Sequence, residues 1–259
     1  MCISAFLLAG SLAVGHWAIP SDTYHLSHAR RYGADVPAFN RLVLRGVDIV
    51  QSHQCTGGGY FIGIKAQPTE SPIGYELQLG NQSLLAPPRT TSFCSGASYS
   101  AFIEAMNLYM RVESRAIPAN TLEALRMQEA DGGRREDCVK AWGWWNADGF
   151  GNHFCLVQLM KAGERVTPKQ AMAGDFLNMS WKNGHGHSTV FLAWESNADG
   201  RRGVRYWSSQ TSTNGLGDAW APFEDIESVC LVRCTKPDKA LDFDPGGPVD
   251  RKIVGDKLQ

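Results

Sequence analysis

The chain has 259 residues, of which 43% are hydrophobic and 20% are charged, and its formal net charge is −1. This length and apolar share are enough to build one sizeable hydrophobic core. The nearly balanced charge argues against a nucleic-acid partner, because binding phosphates needs a concentrated basic surface. The 27 glycines and eight tryptophans indicate a loop-rich globular protein and exclude a coiled coil or a disordered chain.

The first segment of the chain is apolar at residues 3–14, ISAFLLAGSLAV. At about a dozen residues it is too short to span a bilayer. It resembles the apolar region of a secretory signal, although the chain opens with Met-Cys and lacks the usual basic start. We predict a signal or N-terminal apolar segment at residues 1–20 and a secreted or periplasmic location. The alternative is a buried first helix. No later segment is apolar enough for a membrane span.

The first half of the chain has mainly helical patterns. Helices are predicted at 34–51, 95–112, 121–130, 136–145 and 153–163. Asp35 could cap the first helix, Pro37 suits its first turn, and Gly163 is typical of a helix end. Two short strands, at 60–65 and 73–79, and a proline-bearing loop at 85–93 lie between the first two helices.

The second half changes to a period of two, which predicts strands at 173–181, 187–195 and 203–210. The turn SNADGRRG suits a hairpin between the last two. The polar tail at 235–259 is predicted to be poorly ordered. The sequence therefore predicts an α+β fold, with one domain at 21–234 and an insertion at about 111–173.

The seven cysteines are an odd number, so in an exported protein at least one thiol would have no intramolecular partner. Cys138 could pair with Cys155, and Cys230 with Cys234. A structural zinc site would need two close ligand pairs, and only Cys230 and Cys234 are close, with no histidine near them.

Cys94 lies at the predicted start of the helix that follows the loop, in SFCSGASYS. Unpaired backbone N–H groups at a helix start favour a negative charge, so they would lower the pKa of this thiol and favour the thiolate. The same groups could face the oxyanion that forms when a carbonyl carbon is attacked. The alternative interpretation is that Cys94 is a small buried residue.

A thiol nucleophile needs a base, and His187 opens a predicted strand that could pack against the helix of Cys94. His185, in a glycine-flanked turn, is the alternative base. A polar side chain on the next strand could orient the imidazole. Gln210 is our choice and Ser208 the alternative. Alternation places both on the same side of the strand, so the pattern cannot separate them.

Other features have less specific interpretations. The HGH stretch could bind a metal with a third ligand such as His153 or Asp175, but no HExxH-like pattern supports it. The glycine run CTGGGY is not followed by the lysine of a phosphate-binding loop. Trp142, Trp144 and Trp145 could line a groove, although they are more typical of core residues.

The stretches FCSGASYSAFIEAM and AGDFLNMSW, followed by GHGHSTVFL, resemble the NlpC-type and CHAP-type branch of papain-like amidases. The resemblance covers roughly residues 92–210. It implies a helix that bears the nucleophile, packed on an antiparallel sheet, and a cysteine amidase or peptidase that needs no cofactor. Cys94 would be the nucleophile, His187 the base and Gln210 the orienting residue. Asp175, in the Gly-Asp pair before a strand, would be structural.

The family most often cleaves peptides of the bacterial cell wall through a thioester, so a peptide or peptidoglycan substrate is implied. Two departures from its pattern stand out. The interval between Cys94 and His187 is long, with the insertion between them, and the upstream aromatic residue could be Tyr60 or Tyr75. Acyl transfer, a non-catalytic binding module of the same fold and a histidine-based metal hydrolase remain alternatives.

Overall fold

The computed structural model describes residues 22–62, 73–86, 91–113, 116–128 and 137–258. The predicted signal segment at 1–20 lies outside these residues, as do residues 63–65 of the first predicted strand. No helix in the described part of the chain is long and apolar enough to cross a membrane.

The helices follow the predicted order in the first half of the chain. They are α1 His28–Tyr32, α2 Ala38–His53, α3 Cys94–Glu113, α4 Ala119–Leu125, α5 Lys140–Trp145 and a π-helix at His153–Leu159. The cap prediction at Asp35 is wrong, because Pro37 precedes the first helical residue of α2 and no side chain caps this end. Gly163 does not end a helix; it opens a strand instead.

The described residues form eight strands in two antiparallel sheets. They are β1 Leu77–Leu79, β2 Gln82–Leu85, β3 Gly163–Val166, β4 Phe176–Trp181, β5 Gly186–Ser196, β6 Arg202–Gln210, β7 Gly215–Pro222 and β8 Ile226–Cys234. β1 pairs with β2, and the others form a six-stranded sheet in the order β3-β8-β4-β5-β6-β7. The predicted α+β class with an antiparallel sheet is confirmed.

The sequence analysis missed the helix α1 and four strands, namely β2, β3, β7 and β8. β7 begins with GLG and ends with a proline, so its composition is that of a loop. Its strand form comes from pairing with β6 along its whole length, from Gln210↔Gly215 to Gly203↔Pro222. β3 is short and its middle residues are exposed, so it carries no clear alternation.

The core lies between α3 and the six-stranded sheet. Phe102 of α3, Trp145 of α5 and Phe176 of β4 form an aromatic cluster with ring centroids 5.0–6.1 Å apart. Trp142 and Trp145 are fully buried, which favours the core interpretation of these tryptophans. On the other side of α3, a Cβ at Gly46 of α2 would overlap the carbonyl oxygen of Ala101, so glycine allows these two helices to approach closely.

The C-terminal tail is not poorly ordered, contrary to the prediction. Residues 237–241 form a 3₁₀-helix, and Leu241 and Phe243 are buried in the main core. Thr121 donates a hydrogen bond to the carbonyl oxygen of Leu241, and Asp256 forms a backbone bridge with Val229 of β8. The tail's composition is polar, but its few apolar side chains have a core to pack against.

The cysteines described by the structure, from Cys55 to Cys234, are all free thiols. Neither of the two disulfides considered from the sequence, Cys138–Cys155 and Cys230–Cys234, is formed. Cys155, Cys230 and Cys234 are buried among apolar side chains, where a thiol acts as a small hydrophobic residue.

Candidate active site

Cys94 is the first residue of α3, and its position is fixed by the segment that leads into the helix. Ser92 forms a backbone bridge with Tyr60, and its hydroxyl donates to the hydroxyl of Ser209 on β6 over 2.8 Å. These contacts hold the start of α3 against the sheet. Backbone N–H groups of Cys94, Ser95 and Ser188 face the sulfur. The sulfur therefore lies beside β5, at the residue that directly follows His187.

His187 is the second residue of β5, and its partner is Gln210 at the end of β6. The Nε2 atom of His187 lies 3.4 Å from Oε1 of Gln210. The amide nitrogen of Gln210 donates to Oγ1 of Thr213 and to the carbonyl oxygen of Gly217, which fixes the orientation of the amide. Its oxygen can only accept, so the neutral imidazole carries its proton on Nε2 and leaves Nδ1 free to accept one.

Cys94 and His187 line one cavity of about 530 Å³. The cavity is bounded by the start of α3, by the segment around α5 and by the β4–β5 turn. The polar and charged residues that line it are Cys94, Ser95, Asp137, Asn146, Asp148, Asn178, Ser180, His185, His187 and Ser188. The structure therefore places the predicted nucleophile and base at one open space, and it places the predicted orienting residue against the base.

Burial determines the protonation of the pair. It raises the pKa of the Cys94 thiol, against the opposing effect of the N–H groups of Ser188, Ser95 and Cys94 itself. It also lowers the pKa of His187 to about 4, against the opposing effect of the hydrogen bond that His187 donates to Gln210. The expectation of a resting thiolate was wrong in direction, because loss of water at the sulfur outweighs the helix-start dipoles. The directions of the two pKa shifts favour a neutral thiol at Cys94 and a neutral imidazole at His187.

The alternative site residues have other partners. The hydroxyl of Ser208 donates to the carbonyl oxygen of Ser188 over 2.7 Å, so Gln210 is the side chain that meets His187. Asp175 forms a two-point ion pair with Arg233 and accepts a hydrogen bond from Asn40. Asp175 is thus held in a structural contact at the start of β4, as the resemblance implies.

His185 is exposed in the β4–β5 turn and lines the cavity. The other ligands considered with it for a metal are engaged elsewhere: Nδ1 of His153 meets the side chain of Gln158, and Asp175 meets Arg233. Among the described residues, these side chains do not converge as a ligand set around the HGH stretch.

One cluster of described residues does offer ligand atoms close together: His25, His28 and Asp218, with Asp48 beside them. Both ring nitrogens of His28 are already bonded, Nδ1 to Asp48 over 2.7 Å and Nε2 to Asp218 over 2.8 Å. Nε2 of His25 lies 3.1 Å from Asp218, and its Nδ1 accepts the N–H of Ser27. The contacts of this carboxylate–histidine cluster are those of a hydrogen-bond network that needs no ion.

Tyr60 is the upstream aromatic residue that lies near the nucleophile. Burial and the nearby Cys94 raise its pKa to about 12, whereas the ring of Tyr75 stacks on His53 with ring centroids 3.9 Å apart. The sequence analysis missed Tyr206, whose ring lies 5.5 Å from that of His187. Tyr206 lies two residues before Ser208 and four before Gln210, so alternation places all three on one face of the strand. This was the signal that could have identified it.

Comparison with protein-family models, with curated proteins and with solved structures gives no match for this chain. A function for it therefore rests on the geometry and chemistry of the cavity that holds Cys94 and His187.

Proposed function

We propose that the protein is a cysteine amidase or peptidase with a papain-like core, in which Cys94 is the nucleophile, His187 the base and Gln210 the orienting residue. The observation that carries the proposal is that the Cys94 sulfur faces the N–H of Ser188, next to a His187 ring whose Nε2 meets Gln210. A half-buried thiol and a neutral imidazole at one cavity are the components of nucleophilic catalysis by general base.

The reaction begins with transfer of the thiol proton of Cys94 to Nδ1 of His187 as the sulfur attacks the carbonyl carbon. The C–N bond of the tetrahedral adduct then breaks, and the imidazolium returns its proton to the leaving amine. The resulting thioester is attacked by water, which His187 deprotonates. The products are a carboxylic acid and an amine, and the free thiol is restored.

The proposed substrate is a peptide of the bacterial cell wall, and the proposed location is secreted or periplasmic. The substrate follows from the resemblance to NlpC-type and CHAP-type amidases, and the location from the apolar segment at 3–14. If an amine rather than water attacks the thioester, the same residues carry out acyl transfer.

The test is release of free amines from soluble peptidoglycan fragments by the wild-type chain and by Cys94→Ser. We expect the substitution to lower turnover about 10³-fold or more, since an activated nucleophile is lost. Cys55→Ser is the matched control, because Cys55 is an exposed thiol that is not among the residues lining this cavity. Full turnover by Cys94→Ser would overturn the proposal, and loss of activity on chelation would favour a metal hydrolase.

A further inference from the structure

Asn178 on β4 is a buried polar residue of the cavity that neither the resemblance nor the sequence pattern had assigned a role. Its side chain is only 4% exposed, yet the residue lines the cavity that holds Cys94 and His187. The N–H of Asn152 donates to its Oδ1 over 3.0 Å. Because a backbone N–H can only donate, this contact identifies the oxygen and leaves the Nδ2 group at the other branch of the amide.

The Nδ2 group of Asn178 has no hydrogen-bond acceptor within the described part of the chain. The Nδ2 group is also not sealed inside the core, unlike the amide nitrogen of Asn152 behind it. It is therefore a donor held at the cavity wall with its hydrogens unused.

The position of Asn178 relates this donor to the nucleophile. Asn178 and Ser188 lie directly opposite each other on β4 and β5. Ser188 is the residue whose backbone N–H faces the Cys94 sulfur, and its hydroxyl bonds with Ser98 of α3 over 2.8 Å. Asn178 is thus the cross-strand neighbour of a residue in contact with the sulfur. Because directly paired residues point to the same face of a sheet, its side chain lies beside that of Ser188, and the residue lines the cavity.

We infer that Nδ2 of Asn178 donates a hydrogen bond to the carbonyl oxygen of the substrate, and that the bond strengthens as this oxygen becomes an oxyanion. The inference rests on the proposed function, since it requires attack by Cys94 on an acyl carbon. Asn178 exchanges no proton and forms no covalent bond. It supplies a fixed donor to the oxygen on which charge develops, as the backbone N–H of Cys94 can from the helix.

The test compares two reactions of Cys94 in the wild-type chain and in Asn178→Asp. p-Nitrophenyl acetate acylates a thiol through an oxyanion, whereas iodoacetamide alkylates it at a saturated carbon without one. The Asp side chain keeps the acceptor for the N–H of Asn152 and loses the donor. We expect acylation to fall on the order of 10²–10³-fold, as for loss of one oxyanion donor, while alkylation changes by less than about threefold.

Asn183→Asp, in the exposed β4–β5 turn, is the matched control for the added charge and keeps the acceptor for the N–H of His185. Asn178→Ala, checked for folding by its thermal midpoint, is the second variant, and the ratio of acylation to alkylation should fall in it as well. Equal acylation rates, or equal slowing of both reactions, would overturn the inference and leave the proposed function standing. An acylation rate that Cys94→Ser leaves unchanged would overturn both, because the exposed thiol of Cys55 then accounts for the reaction.

Discussion

His28 is fully buried and His187 is half-buried at the cavity, and their hydrogen-bond partners favour a charged ring at His28 and a neutral ring at His187. Burial alone would lower the pKa of His28, but hydrogen bonds with Asp218 and Asp48 raise it overall. At His187, burial lowers the pKa to about 4 and the amide of Gln210 recovers only part of this shift. The carboxylate partners of His28 thus favour a charged imidazolium that bonds to both of them. The amide partner of His187 orients a neutral ring without charging it.

His187→Ala tests most directly whether the neutral histidine acts as the base. We expect turnover of the peptide substrate to fall about 10²–10⁴-fold, the range for loss of a general base. The thermal midpoint should stay at or above that of the wild-type chain, since no buried charge loses its partner. Retained turnover would remove His187 from the mechanism.

His28→Ala should lower the stability of the fold, unlike His187→Ala. It leaves the Asp218 carboxylate buried beside only His25, and removing one partner of a buried ion pair costs about 3–5 kcal/mol of unfolding free energy. Urea denaturation at pH 6 measures this loss. The double variant His28→Ala/Asp218→Asn should recover part of it, because the unpaired charge is gone. A loss below about 1 kcal/mol would contradict the ionic description of the cluster.

Gln210→Glu should give His187 a carboxylate partner, as His28 has. A carboxylate facing Nε2 favours the imidazolium, so the pKa of His187 should rise from about 4 toward or above its ordinary value of 6.5. The acid limb of the acylation rate should then move to higher pH by one unit or more, on the scale of opposite-charge effects. Gln210→Ala is the control, because it removes the orienting contact without adding charge. An unmoved limb in Gln210→Glu would mean that the two side chains do not meet.

The smallest expected effect is the pH dependence of stability, and its sign differs between the two histidines. The pKa of His28 is raised by folding, so its contribution is full below 6.5 and is lost as the pH rises through the folded value. The pKa of His187 is lowered, so folding becomes less favourable as the pH falls from 6.5 toward about 4. Unfolding free energies of the wild-type chain, His28→Ala and His187→Ala between pH 4 and 8 test both slopes.

The sequence predicted best where one local pattern was long enough to determine the structure. The spacing of apolar residues after Cys94 predicted α3, and the alternation around Phe176 and Val190 predicted β4 and β5. Local pattern could not predict β7, whose glycines and proline are held extended by β6. It also could not separate Gln210 from Ser208, because both occupy one strand face and only the cross-strand partner distinguishes them.

The protonation of the site was outside the reach of local sequence for a related reason. The helix start at Cys94 is a local feature and was predicted, but the burial that outweighs its dipoles comes from segments far apart in the chain. Tyr60 and Tyr206, on either side of Cys94 in sequence, lie near enough for its charge to raise their own pKa values. The spacing of residues along the chain does not reveal the combined effect of such distant neighbours on a pKa.

The tail bridge between Asp256 and Val229 has a practical consequence for anyone expressing the protein. β3 pairs with β8 only from Leu231 to Cys234, so the tail covers the edge of β8 where that strand partner has ended. A shortened chain that stops before residue 250 would uncover backbone donors and acceptors at this edge, which invites self-association of neighbouring copies. Truncations intended to improve crystals or solubility should therefore keep the last ten residues.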